Sequence, residues 1–350
     1  MQMKSLYFTG LLALAVVSLH GQDSPQYWST TKPDCSSLMG GEQPTQILDS
    51  SNNVIGYSCS VSGTFVWLAA GGMWGTTIRV AAPASADANI TSGGIDADYT
   101  YFDKNGNPLD VDDTLNGDPT SVASENETEV SLFANQPLEV EVLGATNDAG
   151  TNYSNTAEGT VYATFYCPDA PTCANVLPQL LYSALPSEPW SLSVPISWDD
   201  QLSNQWSAVA FDDGVTNIVG LVIYNEDTSS HSYTVDVFDS DGNFASSGKT
   251  PSIPPLQNLG GGSFGEGGTY AVLLDDLVSG IPAGPIKVLV DGSALSAVEV
   301  LQINGTSATT LQVAFDSSPG TSAAVRSHGP AVRKTHVAPT HKVAHRSLRK

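Results

Sequence analysis

Positive charge is scarce over most of this chain. Its 350 residues hold 13 Lys and Arg against 36 Asp and Glu. Lys4 stands near the N-terminus and seven bases stand beyond residue 317, so five bases share the body with all 36 acids, a formal charge of −31. A surface that acidic repels nucleic acid and anionic membranes. Histidine is scarcer still. His20 is near the N-terminus and four histidines are in the tail, which leaves His231 alone in the body. Any Ser-His-Asp arrangement there has to use His231. It stands in Ser229-Ser230-His231-Ser232, with no Gly-x-Ser-x-Gly elbow nearby, and reads as a loop histidine. No C-x-x-C spacing occurs, which disfavours zinc. No apolar run reaches the ~20 residues that a bilayer needs. No window carries Leu, Lys, Glu and Arg at helical spacing, so long amphipathic helices are excluded as well.

What is present is turn chemistry and alternation. Gly (32) and Pro (21) punctuate the chain, and charged residues make up only 14%, well below the ~25% of typical domains. Leu138, Val140 and Val142 alternate with Glu139 and Glu141. Val161, Ala163 and Phe165 alternate with Tyr162, Thr164 and Tyr166. Period-2 alternation builds strands with one buried and one wet face. The chain reads as all-β, in two tandem immunoglobulin-like β-sandwiches.

Residues 1–21, with Lys4 ahead of an apolar Leu6–Val17 core, read as a signal peptide. Residues 22–58 are a polar arm with a small hairpin around Ser51-Asn52-Asn53. Residues 59–167 form the first sandwich, 168–175 a Pro- and Cys-containing junction, and 176–316 the second sandwich. Residues 317–350, rich in His, Lys and Arg and poor in large apolar groups, read as a disordered tail. The expected location is secreted, extracellular or cell-surface, with no transmembrane segment in the mature chain. Four cysteines in such a compartment favour disulfides, and proximity favours Cys35–Cys59 and Cys167–Cys173 among three pairings.

One phrase is written twice. Tyr99–Leu109 and Tyr233–Phe244 both carry Tyr-Thr, then Phe-Asp, then Gly-Asn. The order Leu177–Leu180, Ala210–Asp213, Gly220–Asn225 and Val237–Asn243 resembles a repeat of uncharacterised bacterial secreted proteins. Those are taken to be immunoglobulin- or fibronectin-III-like β-sandwiches. The resemblance spans about Leu177 to Ile303, more faintly Trp67 to Phe165. It implies a fold and supplies no catalytic residues.

Several groups of residues are candidates for chemistry. Asp103, Asn105 and Asn107, and Asp239, Asp241 and Asn243, place oxygens at i, i+2 and i+4, as an EF-hand loop begins. Pro108 or Phe244 then stands where that loop needs Gly, and Thr114 or Thr250 where it needs Glu. The competing reading is a hairpin turn at Asn105-Gly106 and Asp241-Gly242. Calcium is thus the one cofactor candidate, and otherwise none is expected. The pairs Asp112-Asp113, Asp199-Asp200, Asp212-Asp213 and Asp275-Asp276 read as solvated loop acids, because sequence neighbours on a strand face opposite ways. Gly260, Gly262 and Gly265 spell G-x-G-x-x-G, but a strand follows them rather than a helix. Of six tryptophans, Trp74 and Trp206 are the candidate ligand platforms. In the tail, His328, Arg333, Lys334, His336, His341, Lys342, His345, Arg346, Arg349 and Lys350 suit an acidic polysaccharide or cell envelope. The expected role is non-enzymatic: adhesion, matrix or envelope association. The alternatives are a carbohydrate-binding module, calcium-assisted, and an extracellular hydrolase using separated carboxylates.

Overall fold

A computed structural model describes residues 26–38, 43–71, 74–83, 94–116, 123–145, 157–184, 191–198, 201–260, 263–304, 307–311 and 313–315. The expected signal peptide and the tail, with every candidate from His328 to Lys350, lie outside the described residues. The fold is nearly all β, in antiparallel sheets. In chain order the first strands are β1 (Thr45–Leu48), β2 (Val54–Ala70), β3 (Trp74–Ala81), β4 (Gly94–Asp103), β5 (Val111–Leu115), β6 (Ala123–Glu125), β7 (Glu127–Phe133), β8 (Pro137–Ala145) and β9 (Ala157–Cys167). A short helix, α1 (Ala170–Ala174), precedes β10 (Gln179–Ala184), β11 (Ser191–Pro195) and β12 (Ser197–Trp198). Then come β13 (Ser203–Asp212), β14 (Asn217–Asn225), β15 (Thr234–Phe238), β16 (Phe244–Lys249), β17 (Asn258–Gly260), β18 (Ser263–Phe264) and β19 (Thr269–Leu273). The chain continues through α2 (Leu274–Leu277), β20 (Gly284–Asn304), β21 (Ser307–Leu311) and β22 (Ala314–Phe315).

The first stack packs two sheets face to face. One runs β1-β2-β9-β4-β7 with β12 on β2, and the other runs β11-β10-β3-β8-β5-β6. Leu68, Ile78, Tyr99, Val140, Val161 and Leu180 from both sheets share one core. The alternation seen in the sequence does this: β8 buries Leu138, Val140 and Val142 and turns Glu139 and Glu141 outward. One boundary differs from the expectation. The second domain was expected to start at 176, yet β10 pairs with β3 and β12 with β2. Leu180, Tyr182, Leu192 and Val194 alternate onto the first core, so β10, β11 and β12 complete the first stack. The junction before them is helical, capped by Asp169, whose Oδ1 accepts from Thr172 N at 2.7 Å.

The second stack is organised by β20. Its first half, to Asp291, lies between β13 and β15, and its second half, from Ser296, lies between β14 and β21. The sequence suggested two strands, Ile286–Val290 and Val298–Ile303. They are one strand of 21 residues that changes pairing partners at an irregularity between them, within a single eight-stranded sheet. Gly292 sits at that corner, where an added Cβ would lie 2.3 Å from the ring of buried Tyr233. Only glycine leaves room for the close approach. β14, expected to be central from its unbroken apolar run, pairs on both edges, with β19 and β20.

Both expected cysteine pairs are bridged, Cys35–Cys59 and Cys167–Cys173. Cys59 and Cys167 face each other in the β2–β9 register. The bridges therefore sit side by side and tie the arm, both central strands and α1 together. Each removes unfolded-chain entropy worth about 2–4 kcal/mol.

The two stacks meet along a mixed seam. Val66, Val222, Tyr224 and Ala297 form its buried apolar part, flanked by Trp67, Leu202 and Ala271. Thr269 Oγ1 donates to Val66 O at 2.9 Å, and Thr269 N to Lys104 O at 3.0 Å. Thr310 Oγ1 donates to Ser193 O at 2.6 Å.

Candidate functional site

The two repeated turns are the first candidates, and their carboxylates are already engaged. Asp103 Oδ1 accepts from Asn105 N at 2.8 Å and Asn107 N at 3.0 Å. Asp239 Oδ1 accepts from Asp241 N and Asn243 N, both at 2.9 Å. The side-chain amides of Asn107 and Asn243 also donate to those aspartates. Amide hydrogens thus converge on the carboxylate, whereas a cation site needs oxygens converging on the ion. Gly106 (φ 83°) and Gly242 (φ 82°) supply the left-handed residue of the turn. The Asp239 carboxyl is held below its ordinary value, first by the Asn243 backbone amide.

Two further turns use the same design. Asp49 accepts from Ser51 N and Asn53 N, with Asn52 at φ 62°. Asp213 accepts from the amides of Val215, Thr216 and Asn217. Asp with Asn four residues later is common to all four, at Asp49/Asn53, Asp103/Asn107, Asp213/Asn217 and Asp239/Asn243, and here it makes a self-capped turn; the spacing alone is not sufficient, since Asp112 and Asn116 share it while Asp112 lies in β5.

The acids that do gather were not singled out as a cluster in the sequence. Asp96, Asp98 and Glu129 bring carboxylate oxygens within 4.8 Å of one another. β4 and β7 make the grouping: Asp98 faces Glu129 in the register, and Asp96 faces Ser131, whose Oγ donates to Asp96 at 2.6 Å. The signal available was Asp-Ala-Asp inside a strand, which puts two carboxylates on one face. Their chemistry suits a hard divalent cation.

Other acids are buried rather than solvated, a correction to the loop-acid reading. Asp112 and Asp113 lie in β5 at the edge of the core. Tyr101 OH donates to Asp113 Oδ2 at 3.2 Å, and Thr128 Oγ1 donates to the same oxygen. Burial pushes the Tyr101 hydroxyl well up. Asp212 is buried too, and its Oδ1 accepts from Gly214 N at 2.8 Å. Asp199 and Asp200 lie outside the described residues.

Trp74 opens β3 with 36% of its surface exposed. Trp206 is 6% exposed, and its indole Nε1 donates to Ser203 O and Ser296 O, both at 3.1 Å. It presents no ring face to a ligand and anchors the β13–β20 corner instead. His231 pairs in a bridge with Ile253 and lies between Ser293 Oγ (3.3 Å from Nδ1) and Asp227 Oδ2 (3.5 Å from Nε2). Both distances exceed the ~2.6–3.2 Å of a working nucleophile–base pair. Serine and carboxylate also sit on the nitrogens opposite to those of a Ser-His-Asp triad. Around the glycine-rich stretch β17 pairs with β18, and the next element is β19, a strand; Gly261 and Gly262 lie outside the described residues.

No protein-family model matches the chain, and neither a curated protein nor a solved structure matches it.

Proposed function

We propose that this is an exported, non-enzymatic protein of immunoglobulin-like β-sandwiches that works by adhesion at an envelope, cell surface or extracellular matrix. The observation that carries the reading is its charge layout. Among the described residues one Lys or Arg reaches a carboxylate, Arg79 to Glu139 at 2.6 Å, and that pair is half exposed, so it adds little stability. The body's acidity is left uncompensated by its own bases, while seven bases and four histidines are collected beyond residue 317. Such a tail binds an acidic polysaccharide or envelope, and the acidic body keeps the rest of the molecule soluble. Two disulfides suit an oxidising location. Deleting Ser317–Lys350 should release the protein from cells or isolated envelope at low salt. Retention equal to that of the full chain defeats the reading.

A second reading, glycan binding assisted by calcium, draws on exposed Trp74 and on the Asp96–Asp98–Glu129 grouping. Glycan-array signal that falls on Trp74→Ala and on chelation supports it. An array with no signal, together with no thermal shift in calcium, removes it.

A further inference from the structure

The outer face of the sheet β16-β15-β20-β13 breaks the usual pattern of an antiparallel sheet, whose wet side is polar. The register lines up Val209, Lys287 and Phe238 on adjacent strands, and Phe238 faces Phe244 on β16. Phe211 and Pro285 make the next row, and Leu289 lies one row the other way beside Asp236. Val209 is 70% exposed, Phe244 60% and Phe211 44%. The rings of Phe238 and Phe244 meet edge to face with centroids 6.0 Å apart. Apolar side chains gathered on four neighbouring strands around Lys287 are not the scattered exposure that ordinary surfaces show, and patches of this kind mark contact sites.

We propose that a second copy of this chain docks on that face, giving a symmetric, reversible dimer. A two-fold interface has to be complementary to itself. This face is: alongside its apolar side chains it carries both signs of charge. Lys287 and Lys249 share it with Asp236 and Asp291, through the registers Phe238↔Lys287, Thr234↔Asp291 and Thr234↔Lys249. Two of the five bases of the body are therefore on one face of a molecule with 36 acids. Two copies meet here without piling up negative charge, whereas acid-rich surfaces repel their own kind. A polyanion gains little here, since each lysine has an aspartate on the same face. Four strands about 4.8 Å apart and about five residues long make roughly 300 Å² in plan. A standard interface covers about 800 Å² per partner, so the dimer is weak and depends on concentration. The proposal does not depend on the tail.

Sedimentation velocity of the purified full chain over about a hundredfold concentration range tests it. The expected result is a monomer–dimer equilibrium that high salt leaves unchanged or strengthens. The double variant Val209→Asp, Phe244→Asp should raise the dimer Kd about tenfold or more, with thermal stability preserved because both side chains are exposed. The neutral pair Val209→Ser, Phe244→Ser should act in the same direction. A monomer at every concentration overturns the proposal, as does a dimer that survives both double variants. A dimer that dissolves in salt and disappears on deleting Ser317–Lys350 also overturns it, and assigns the association to the tail and the acidic body instead.

Discussion

The turns at Asp103–Asn107 and Asp239–Asn243 have the same sequence grammar and nearly the same hydrogen bonds, yet they do different work. The second closes a hairpin, β15 to β16, in one sheet. The first ends β4 and sends the chain across to β5 in the facing sheet. Only the Phe102–Pro108 bridge and a Leu109 N to Tyr101 O bond prolong its ladder. The divergence does not come from the turn itself, since Phe102–Pro108 and Phe238–Phe244 both follow the same Asp N to Asn O bond. The surroundings differ. A Cβ on Gly242 would meet nothing within 4 Å, while a Cβ on Gly106 would lie 1.9 Å from Glu266 O. Gln257 Nε2 reaches Asn105 O at 3.0 Å. One turn is a free tip and the other is pressed into the seam between the stacks. A shared motif thus encodes a local shape, and its neighbours decide its use.

The largest effect should come from the copy whose glycine is buried, Gly106. Gly106→Ala has to strain a left-handed residue and push the seam apart, an expected loss of roughly 2–4 kcal/mol in chemical denaturation. Gly242→Ala strains the same φ in open space and should cost only about 1 kcal/mol. Equal losses would mean that the first turn is not held by the second stack.

The seam has a second marker in Glu299 on β20. It is 5% exposed, faces the region of Tyr182 and Thr310, and its Oε2 has no hydrogen-bond partner among the described residues. Burial pushes its carboxyl up to about 8 from 4.5. The folded state therefore holds this proton more tightly than the unfolded chain does. Its stabilising contribution is complete below pH 4.5 and is lost as pH rises to about 8. Glu299→Gln, neutral throughout, should flatten the fall in stability over that window and gain about 2 kcal/mol at pH 8. A wild-type stability that does not fall between pH 5 and 8, checked by urea titration at each pH, refutes this account of the seam.

The smallest effect belongs to the exposed turn's acid. Asp239 is held below 3.8 by amide donors, so its contribution is present above that pH and declines as pH falls through the lower folded value. Asp239→Asn should lower stability slightly near neutrality and make no difference at a pH where the wild-type carboxyl is already protonated, so that the acid-induced fall in stability becomes a little shallower. A large loss at neutral pH would show that this turn is not the free tip the structure describes.

Much of this could be read in residue order. Period-2 runs located β8 and β9, because alternation reports a strand's two faces directly, and the unbroken apolar run Ile218–Tyr224 located β14. Cys35–Cys59 and Cys167–Cys173 followed from nearness in the chain. What was missed depends on partners distant in sequence. Nothing local says that Leu180 and Val194 belong to the first core, since an apolar strand fits any open sheet edge of suitable register. Ile286–Val290 and Val298–Ile303 read as two strands, though they are parts of one that bends at Gly292. Trp206 in a polar stretch looked exposed, but Ser203 and Ser296 surround its indole because β20 bends beside it. Asp96 and Asp98 became a cluster only when β7 supplied Glu129.

Residue order alone settled the all-β character, the turns at Asn105-Gly106 and Asp241-Gly242 and the separation of acidic body from basic end, and it favoured one of three cysteine pairings. Each rests on neighbours a few residues apart or on composition. Only the folded structure decided where the first stack ends, which of two matching turns has its glycine buried, that Glu299 lies in a seam, and that Val209, Phe211 and Phe244 line up on one outer face. Those outcomes come from strand pairing across long chain separations, where register brings together side chains that no local pattern relates.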